Sequence, residues 1–374
     1  MSFYTFNFVL FVLGKITLNM KKLIFLFLII NIACGNHTKQ KVVQTTDSTA
    51  TQQKQIVYEK DNFKKGEVIP SVNLRGDTSQ KFALYLPKSF SETSKLAVVI
   101  FFDPHGEGTV PLNLYSKLAE QNQFILLASN TSKNGMDFES TNGLATNLIR
   151  EAQSRFSVDK SKITLCGFSG GAKVALACGA NNPDISTVIY CGAATQFNPS
   201  HNVNLLGFAG KKDMNYTDVV SFEWSLQNAP FKHFLIEWKG KHEFPTADVF
   251  KDAFTFLKKG DVENYATKKV DITQTKVDEE QSIKQKYIDA FQSQDLNWWK
   301  AEIKSLNANK KSDLMFERLL GFISLACYSI SNNCLEQNNL FIAEKILTIY
   351  KLADPTNEAC AAFTLELERR KSRK

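Results

Sequence analysis

Strand-like and helix-like segments alternate between residues 82 and 259, and this alternation restricts the chain to few folds. From Leu96 onward the strand-like segments are continuous apolar runs, which is typical of strands covered on both faces. Alternation of such strands with helices is the pattern of a mostly parallel sheet flanked by helices. We therefore expect a doubly wound α/β fold. The predicted strands cover 82–87, 96–103, 124–130, 163–168, 185–192, 205–210 and 233–238, with helices near 112–122, 140–156, 170–180, 217–228 and 246–259.

The character of the chain changes after residue 260. A polar link over 261–277 leads into 278–374, where the segments have helical periodicity and no strand signal. Near the C-terminus Ala343 precedes Pro355 by twelve residues, a spacing that resembles a tetratricopeptide repeat. The resemblance covers about one repeat, so the alternative is a small helical bundle of another kind.

The N-terminus carries a targeting pattern, "MKKLIFLFLIINIACGN", that starts at Met20. Its apolar run is shorter than the roughly 20 residues that a bilayer of about 30 Å requires, and it has the dimensions of a signal peptide. Cys34 after a small residue resembles a bacterial lipobox. We predict that 1–34 is a lipoprotein-type signal with Met20 as the true start and Cys34 as the lipidated residue. The protein would then be exported and anchored by lipid, facing the periplasm or the cell exterior.

The alternative for this segment is an uncleaved membrane anchor, which would bury Lys15, Lys21 and Lys22 at a considerable cost in free energy. Residues 35–57 are rich in Thr, Gln and Lys, so we expect a flexible tether there and the α/β unit over 58–260. The net charge of +7 is scattered, with no basic stripe that contains interleaved aromatic residues. This distribution argues against a nucleic-acid partner.

Six cysteines remain when Cys34 is set aside for lipid, and the chain contains no C-x-x-C pair. A zinc or redox motif is therefore not expected. In an exported chain some cysteines could pair, and Cys327 and Cys334 are the nearest two in sequence. Cys166 and Cys191 lie in apolar strand-like runs, where we expect buried thiols.

One corner of the chain has the sequence of a catalytic turn. Residues 167–171, "GFSGG", fit G-x-S-x-G and stand between a predicted strand and a predicted helix. A serine on so tight a turn needs glycine neighbours, because a Cβ there would collide with the strand or the helix. The helix that starts at Gly170 would direct its N–H groups toward the Ser169 hydroxyl. The pattern predicts a nucleophile; the alternative is a turn whose serine caps the helix.

A serine nucleophile needs a base and an acid that orients the base. His242 follows the predicted strand 233–238, and Asp213 follows the predicted strand 205–210. Catalytic groups of open α/β sheets collect at the carboxyl ends of strands. We therefore predict a triad of Ser169, Asp213 and His242. Asp218 is the rival acid, and the alternative for the histidine is a surface loop residue.

A second loop at the strand ends carries His105, Gly106, Glu107 and Gly108. It is similar to the H-G-G-G loop that supplies an oxyanion donor in some hydrolases. We predict that the N–H groups of Gly106 or Glu107 act together with that of Gly170, while the His105 ring fixes the loop. Glu107 would have to turn outward or contact substrate, since a carboxylate beside an oxyanion is unfavourable.

Five stretches, "QKFALYLPKSF", "LAVVIFFDPHGEG", "FSVDKSKITLCGFSGGAKVAL", "LLGFAGKKD" and "WKGKHEFP", together resemble the α/β-hydrolase superfamily. They are most similar to its esterase branch of feruloyl-esterase-like and polyhydroxybutyrate-depolymerase-like proteins, over about residues 66–259. The resemblance implies hydrolysis of a small-molecule or carbohydrate-linked ester through an acyl-enzyme, without metal or organic cofactor. The alternatives are a serine peptidase of the same fold, and a non-catalytic scaffold or binding lipoprotein whose C-terminal helices recruit a protein partner.

Overall fold

The computed structural model describes residues 61–259 and 270–373. The predictions for the signal peptide, for Met20 and Cys34, and for the tether over 35–57 lie outside the described residues. They therefore stay predictions.

Eight strands in the described residues form one sheet, in the order β1-β2-β4-β3-β5-β6-β7-β8. The pairs β1–β2 and β2–β4 are antiparallel, and every other neighbouring pair is parallel. The strands are β1 (Val68–Leu74), β2 (Asp77–Tyr85), β3 (Leu96–Phe102), β4 (Ile125–Ser129), β5 (Val158–Phe168), β6 (Ile185–Cys191), β7 (Asn204–Gly210) and β8 (His233–Trp238).

Five helices accompany this sheet and cover both of its faces. They are α1 (Thr109–Asn122), α2 (Phe138–Arg155), α3 (Gly170–Asn181), α4 (Tyr216–Ser225) and α5 (Ala247–Lys259). The apolar side chains of α2, α3 and α4 pack into one buried cluster with the sheet, and those of α1 and α5 pack into a second. The central strands are buried on both sides for this reason, which explains their continuous apolar runs. The predicted fold class, a doubly wound and mostly parallel sheet, is confirmed.

The sequence missed one strand, β1, at an edge of the sheet. It contains Pro70 and an irregular register between Ile69 and Val72, and its exposed residues interrupt the apolar pattern. Proline and bulges are tolerated at edges because one side of such a strand has no partner to bond. The propensity signal of β1 is therefore weak.

The predicted C-terminal helical region is present as five helices, which complete the fold. They are α6 (Gln274–Ser293), α7 (Leu296–Asn309), α8 (Leu314–Glu336), α9 (Leu340–Ala353) and α10 (Glu358–Lys371). The predicted linker 261–277 is too long at its C-terminal end, because Thr273 caps α6 by accepting from the N–H of Lys276. Tyr287 and Ile288 of α6 are buried in the core of this region, with Ile283 partly buried beside them.

Among the described helices, α8 is the one that is long and apolar enough to cross a membrane by length and composition. Leu319, Ile323 and Ile330 of this helix are buried in the helical core. A buried core helix passes the same test of length and composition.

The six cysteines between residues 166 and 360 are all free and buried. The suggested pairing of Cys327 with Cys334 is wrong for this fold. Both lie on α8 and are separated by two helical turns, about 10 Å at the helical rise, whereas a disulfide needs Cα atoms within about 7 Å. Cys166 and Cys191 are buried in the sheet, as expected, and burial raises the pKa of the Cys166 thiol.

Candidate active site

Ser169 occupies a strained turn between β5 and α3. Its φ of 52° lies in the left-handed region, which a non-glycine residue enters only where the surroundings hold it. The backbone N–H of Ser169 donates to the carbonyl of Cys191 at 2.9 Å, which ties the turn to β6. Ser169 stands at the cap position of α3, yet its side chain makes no capping hydrogen bond. The hydroxyl is thus available for another role.

The glycines around Ser169 are required by close packing. A Cβ on Gly167 would lie 2.0 Å from the carbonyl oxygen of Gly171, and a Cβ on Gly171 would lie 2.0 Å from the carbonyl oxygen of Phe102. Both contacts are with backbone atoms, which cannot move aside as a flexible side chain can. The turn can therefore bring α3 against β3 and β5 only with glycine at these positions.

The structure brings Ser169, His242 and Asp213 together from the ends of three strands. His242 Nε2 lies 2.9 Å from Ser169 Oγ. On the other side of the ring, His242 Nδ1 lies 2.9 and 3.0 Å from the two carboxylate oxygens of Asp213. Because both Asp213 oxygens are acceptors, the proton of the neutral ring belongs on Nδ1. Nε2 then carries the lone pair that accepts the serine proton.

Asp213 is held in place by its own loop. Its side chain is buried, and Oδ1 also accepts a hydrogen bond from the N–H of Asn215 at 2.8 Å. The Asn215 amide donates in turn to the carbonyl of Gly192, which joins this loop to the end of β6. These hydrogen bonds hold the Asp213 carboxylate in one orientation.

Two residues around Ser169, His242 and Asp213 were not found by sequence reasoning. Gly192 has a φ of 65°, and a Cβ there would lie 2.8 Å from Asp213 Oδ2. The Phe168 ring lies 4.7 Å from the His242 ring and shields it on one side. A glycine after a strand is a common turn signal, so the sequence did not single out Gly192. Its importance comes from the close approach of the Asp213 carboxylate, which leaves no room for a Cβ.

The predicted oxyanion loop is arranged differently from the expectation. Three of its four N–H groups are bonded to Asp103: His105 N–H and Glu107 N–H donate to the carboxylate at 2.8 and 3.2 Å, and Gly106 N–H to the carbonyl at 3.2 Å. The fourth, from Gly108, donates to Asn130 Oδ1 at 2.9 Å. The buried Asp103 carboxylate therefore fixes the loop in place of the exposed His105 ring. This corrects the assignment of Gly106 and Glu107 as donors to an oxyanion. Glu107 is exposed, so it does turn outward.

Gly170 is the predicted oxyanion donor whose N–H has no hydrogen-bond partner among the described residues. It is the first residue of α3, so no carbonyl within the helix can accept from it. The Asn134 side chain lies against it, since a Cβ on Gly170 would meet Asn134 Oδ1 at 1.8 Å.

A cavity of about 330 Å³ opens beside Gly170 and Gly171, with Asn134 on its wall. Much of the remaining wall is apolar and comes from Pro104, Met136, Phe138, Val174, Ala177 and Ala194. Lys173 of α3 also lines the cavity, and burial lowers the pKa of its ammonium group. The cavity can hold a small organic group directly next to the N-terminus of α3.

Asp218, the rival acid, lies on α4 rather than in the loop that faces His242. Burial raises the pKa of its carboxyl group. The acid hydrogen-bonded to His242 is Asp213, so the structure separates the two candidates. A second histidine–carboxylate pair, His233 with Glu223, has no serine hydroxyl bonded to the histidine.

Within residues 61–259 and 270–373, no group of three or more His, Cys, Asp or Glu side chains is placed to hold a metal ion. The expectation that the chain works without a metal stays a prediction. The chemistry that the described side chains can perform is proton transfer and nucleophilic attack.

Comparisons with known proteins complete the description of the site. A scan of protein-family models gives no match, and neither does a search of curated proteins. Among solved structures, the chain is similar to the S-formylglutathione hydrolase FrmB from Staphylococcus aureus, with 15% identity, a TM-score of 0.40 and coverage of 48% of this chain and 92% of that one.

Two further solved structures are similar to a comparable degree. A fungal esterase from Rhizomucor miehei is 15% identical, with a TM-score of 0.42 and coverage of 52% of this chain and 84% of that one. The butyrate-bound esterase Est2 from Thermogutta terrifontis is 14% identical, with a TM-score of 0.42 and coverage of 54% and 96%. At these identities and scores, the chemistry has to be argued from the side chains of this chain.

Proposed function

We propose that this protein is a serine hydrolase that cleaves carboxylic esters through an acyl-enzyme. The observation that carries the proposal is the continuous hydrogen-bonded series from Ser169 Oγ through His242 to the buried Asp213 carboxylate. A serine that merely capped a helix would have no need of a histidine at 2.9 Å, nor of an acid behind that histidine.

In the proposed reaction, Ser169 Oγ attacks the ester carbonyl carbon while His242 Nε2 takes the hydroxyl proton. Asp213 stabilises the imidazolium that forms and keeps the ring in the orientation needed for both proton transfers. The N–H of Gly170, at the positive end of α3, donates to the oxyanion of the tetrahedral intermediate. His242 then gives its proton to the leaving alcohol, whose departure leaves the acyl-enzyme.

Deacylation reverses these roles with water as the nucleophile. His242 Nε2 accepts a proton from water, the hydroxide attacks the acyl carbonyl, and Ser169 leaves with the proton returned by the imidazolium. The cavity beside Gly170, the proposed oxyanion donor, has a largely apolar wall. We therefore assign it to the organic group of a small ester substrate.

The test is hydrolysis of p-nitrophenyl esters of increasing acyl length, together with labelling by a fluorophosphonate probe. The wild-type chain is expected to hydrolyse short esters and to be labelled. Ser169→Ala should lower kcat by about 10⁶-fold and abolish labelling without changing the melting temperature. Failure of the wild type to be labelled and to cleave any ester in the series would overturn the proposal, and cleavage of peptide substrates alone would redirect it to a peptidase.

The cellular location is a separate part of this proposal. The sequence around Cys34 supports export and lipid attachment, with residues 35–57 as a tether to the α/β unit. Cys34→Ser is expected to move the protein from the membrane fraction to the soluble fraction after cell lysis. Unchanged membrane retention of this variant would contradict lipidation at Cys34.

A further inference from the structure

A group of buried charges joins the C-terminal helices to the loop that carries Asp213. We call Glu280 and Lys284 of α6 and Arg318 of α8 the clamp residues. They are 0%, 6% and 4% exposed, whereas charged side chains are almost never so deeply buried unless they are paired. The partners that these charged groups bind therefore have to account for their burial.

Lys284 reaches across to the Asp213 loop with its ammonium group. Nζ donates to the carbonyl oxygen of Met214 at 2.6 Å and to the hydroxyl oxygen of Thr217 at 2.9 Å, and it pairs with Glu280 at 3.1 Å. The Met214 carbonyl belongs to the residue directly after Asp213. The hydrogen bond from Lys284 thus fixes the backbone next to the carboxylate that holds His242.

Arg318 holds the other end of the same loop. Nε and Nη2 donate to Glu280 Oε2 at 2.9 and 2.6 Å, while Nη1 donates to the carbonyl of Lys211 at 2.9 Å. The guanidinium also lies 4.9 Å from the Tyr216 ring, just past the loop. Glu280 therefore couples two cations, each of which binds a loop carbonyl within two residues of Asp213.

Packing adds to these polar contacts. The Met214 side chain is buried in the apolar core of the helical region rather than in that of the α/β unit. On the same helix as Arg318, Glu317 lies 3.1 Å from the ammonium of Lys212 and 3.7 Å from that of Lys241. These lysines are the residues just before Asp213 and His242, so α8 contacts both loops of the proposed triad.

From these contacts we infer that the C-terminal helices contribute to the active site. The clamp residues position the Asp213 loop so that the Asp213 carboxylate holds His242 in its orientation. Lys284 and Arg318 are positioning residues, since they act through Asp213 and do not touch the reacting atoms. The inference rests on the proposed serine hydrolase chemistry. A misplacement of about 1 Å can lower a rate about 10²-fold, so small movements of the loop are sufficient to matter.

The test is Lys284→Met in the full chain, with Lys286→Met as the matched control on an exposed position of the same helix. Lys284→Met is expected to lower kcat for a p-nitrophenyl ester by about 10- to 100-fold with KM unchanged, and the control should behave as the wild type. In the Asp213→Asn background, Lys284→Met should have no further effect on kcat, because a residue that acts through Asp213 loses its influence with it. An additive loss in the double variant would overturn the inference.

Arg318→Lys covers the case in which Lys284→Met fails to fold. It keeps the charge but loses the fork that binds Glu280 and the Lys211 carbonyl together, so a smaller fall in kcat is expected, about 5- to 20-fold. A fully active, folded Arg318→Lys variant would count against the clamp.

A second readout is independent of turnover. The ¹⁵N chemical shifts of the His242 ring, assigned by their loss in His242→Ala, should show the Nδ1–H tautomer in the wild type and a mixture of tautomers in Lys284→Met or Arg318→Lys. If the wild type cleaves no ester, the proposed function fails, and these shifts alone decide whether the clamp positions His242. Identical shifts in wild type and variants would overturn the inference.

Discussion

The α/β unit and the C-terminal helical region both bury charged side chains, but they use them for different ends. In the α/β unit the buried acids Asp103 and Asp213 lie just past strand ends, and their carboxylates bind loop N–H groups and a histidine. In the helical region Lys284 and Arg318 face the α/β unit and bind its loop carbonyls, and Glu280 pairs with both of them. The first set binds loops and a histidine at the strand ends, and the second binds the loop that carries Asp213.

The two regions also exchange apolar residues across their boundary. Val277 of α6 is buried in the core of the α/β unit, while Met214 of the α/β unit is buried in the core of the helices. The change in sequence character after residue 260 therefore does not coincide with a clean boundary between the two apolar cores. Because the two cores interlock in this way, we expect substitutions in the helical region to alter the geometry of the proposed active site.

Within the comparison of the two regions, the largest expected effect is on the acid of the proposed triad. Asp213→Asn should lower kcat by about 10⁴-fold, because the amide favours the wrong tautomer of His242. Asp218→Asn, five residues away on α4, is the matched control and should stay within about tenfold of the wild type, since Asp218 makes no hydrogen bond to His242. Steady-state kinetics on one activated ester checks both. A larger loss in Asp218→Asn than in Asp213→Asn would assign the chemistry to the other acid.

A smaller effect is expected on the free energy of unfolding when a glycine is replaced by alanine, and it should differ between the two regions because they pack around glycine with different tightness. Gly171→Ala places a Cβ 2.0 Å from the Phe102 carbonyl oxygen, so the free energy of unfolding should fall by about 1–3 kcal/mol. Gly321→Ala on α8 places a Cβ 3.5 Å from Met214 Cβ, an ordinary contact, and should raise it by about 0.5–1 kcal/mol. Denaturant unfolding of the two variants provides the measurement, and an equal loss in both would remove the proposed difference.

A last effect, similar in size to that of Gly321→Ala, concerns an ion pair at the periphery of the α/β unit, which contrasts with the buried clamp residues. Hydrogen bonds from Arg155 hold the pKa of Asp61 below its usual value, with Arg75 as a second partner. Because the pKa is lower in the folded state, the stabilisation is present above the unfolded pKa of about 3.9 and is lost as the pH falls through the folded value.

Asp61→Asn should therefore lower the free energy of unfolding by about 1 kcal/mol at pH 7, and the difference from wild type should shrink below about pH 4. Urea titrations at both pH values measure it. A difference that stays constant from pH 7 down to pH 3 would show that the Asp61 charge is not its source.

Most of the α/β fold could be predicted from the sequence because its signals are local. The strands β3 to β8 each contain a largely apolar run, and only the edge strand β1, interrupted by Pro70, was missed. The turn around Ser169 could be predicted for the same reason, since a serine between glycines after a strand constrains its own backbone. Residues such as Gly192 and Asn215 escaped notice, because their roles depend on side chains that are distant in sequence.

The sequence alone determined the doubly wound fold, the strand-to-helix turn at Ser169, and a short set of acids and histidines that follow strands. These features could be predicted because hydrophobic periodicity and turn conformation depend on residues that are close in sequence. The tertiary structure decided that Asp213 is the acid bonded to His242, that Asp103 accepts from three of the four N–H groups of the His105 loop, and that Lys284 and Arg318 point inward to the Asp213 loop. From sequence alone, a charged residue on a helix is expected to be exposed to solvent. Its burial and its hydrogen-bond partners become known only in the folded structure, because the partners are distant in sequence.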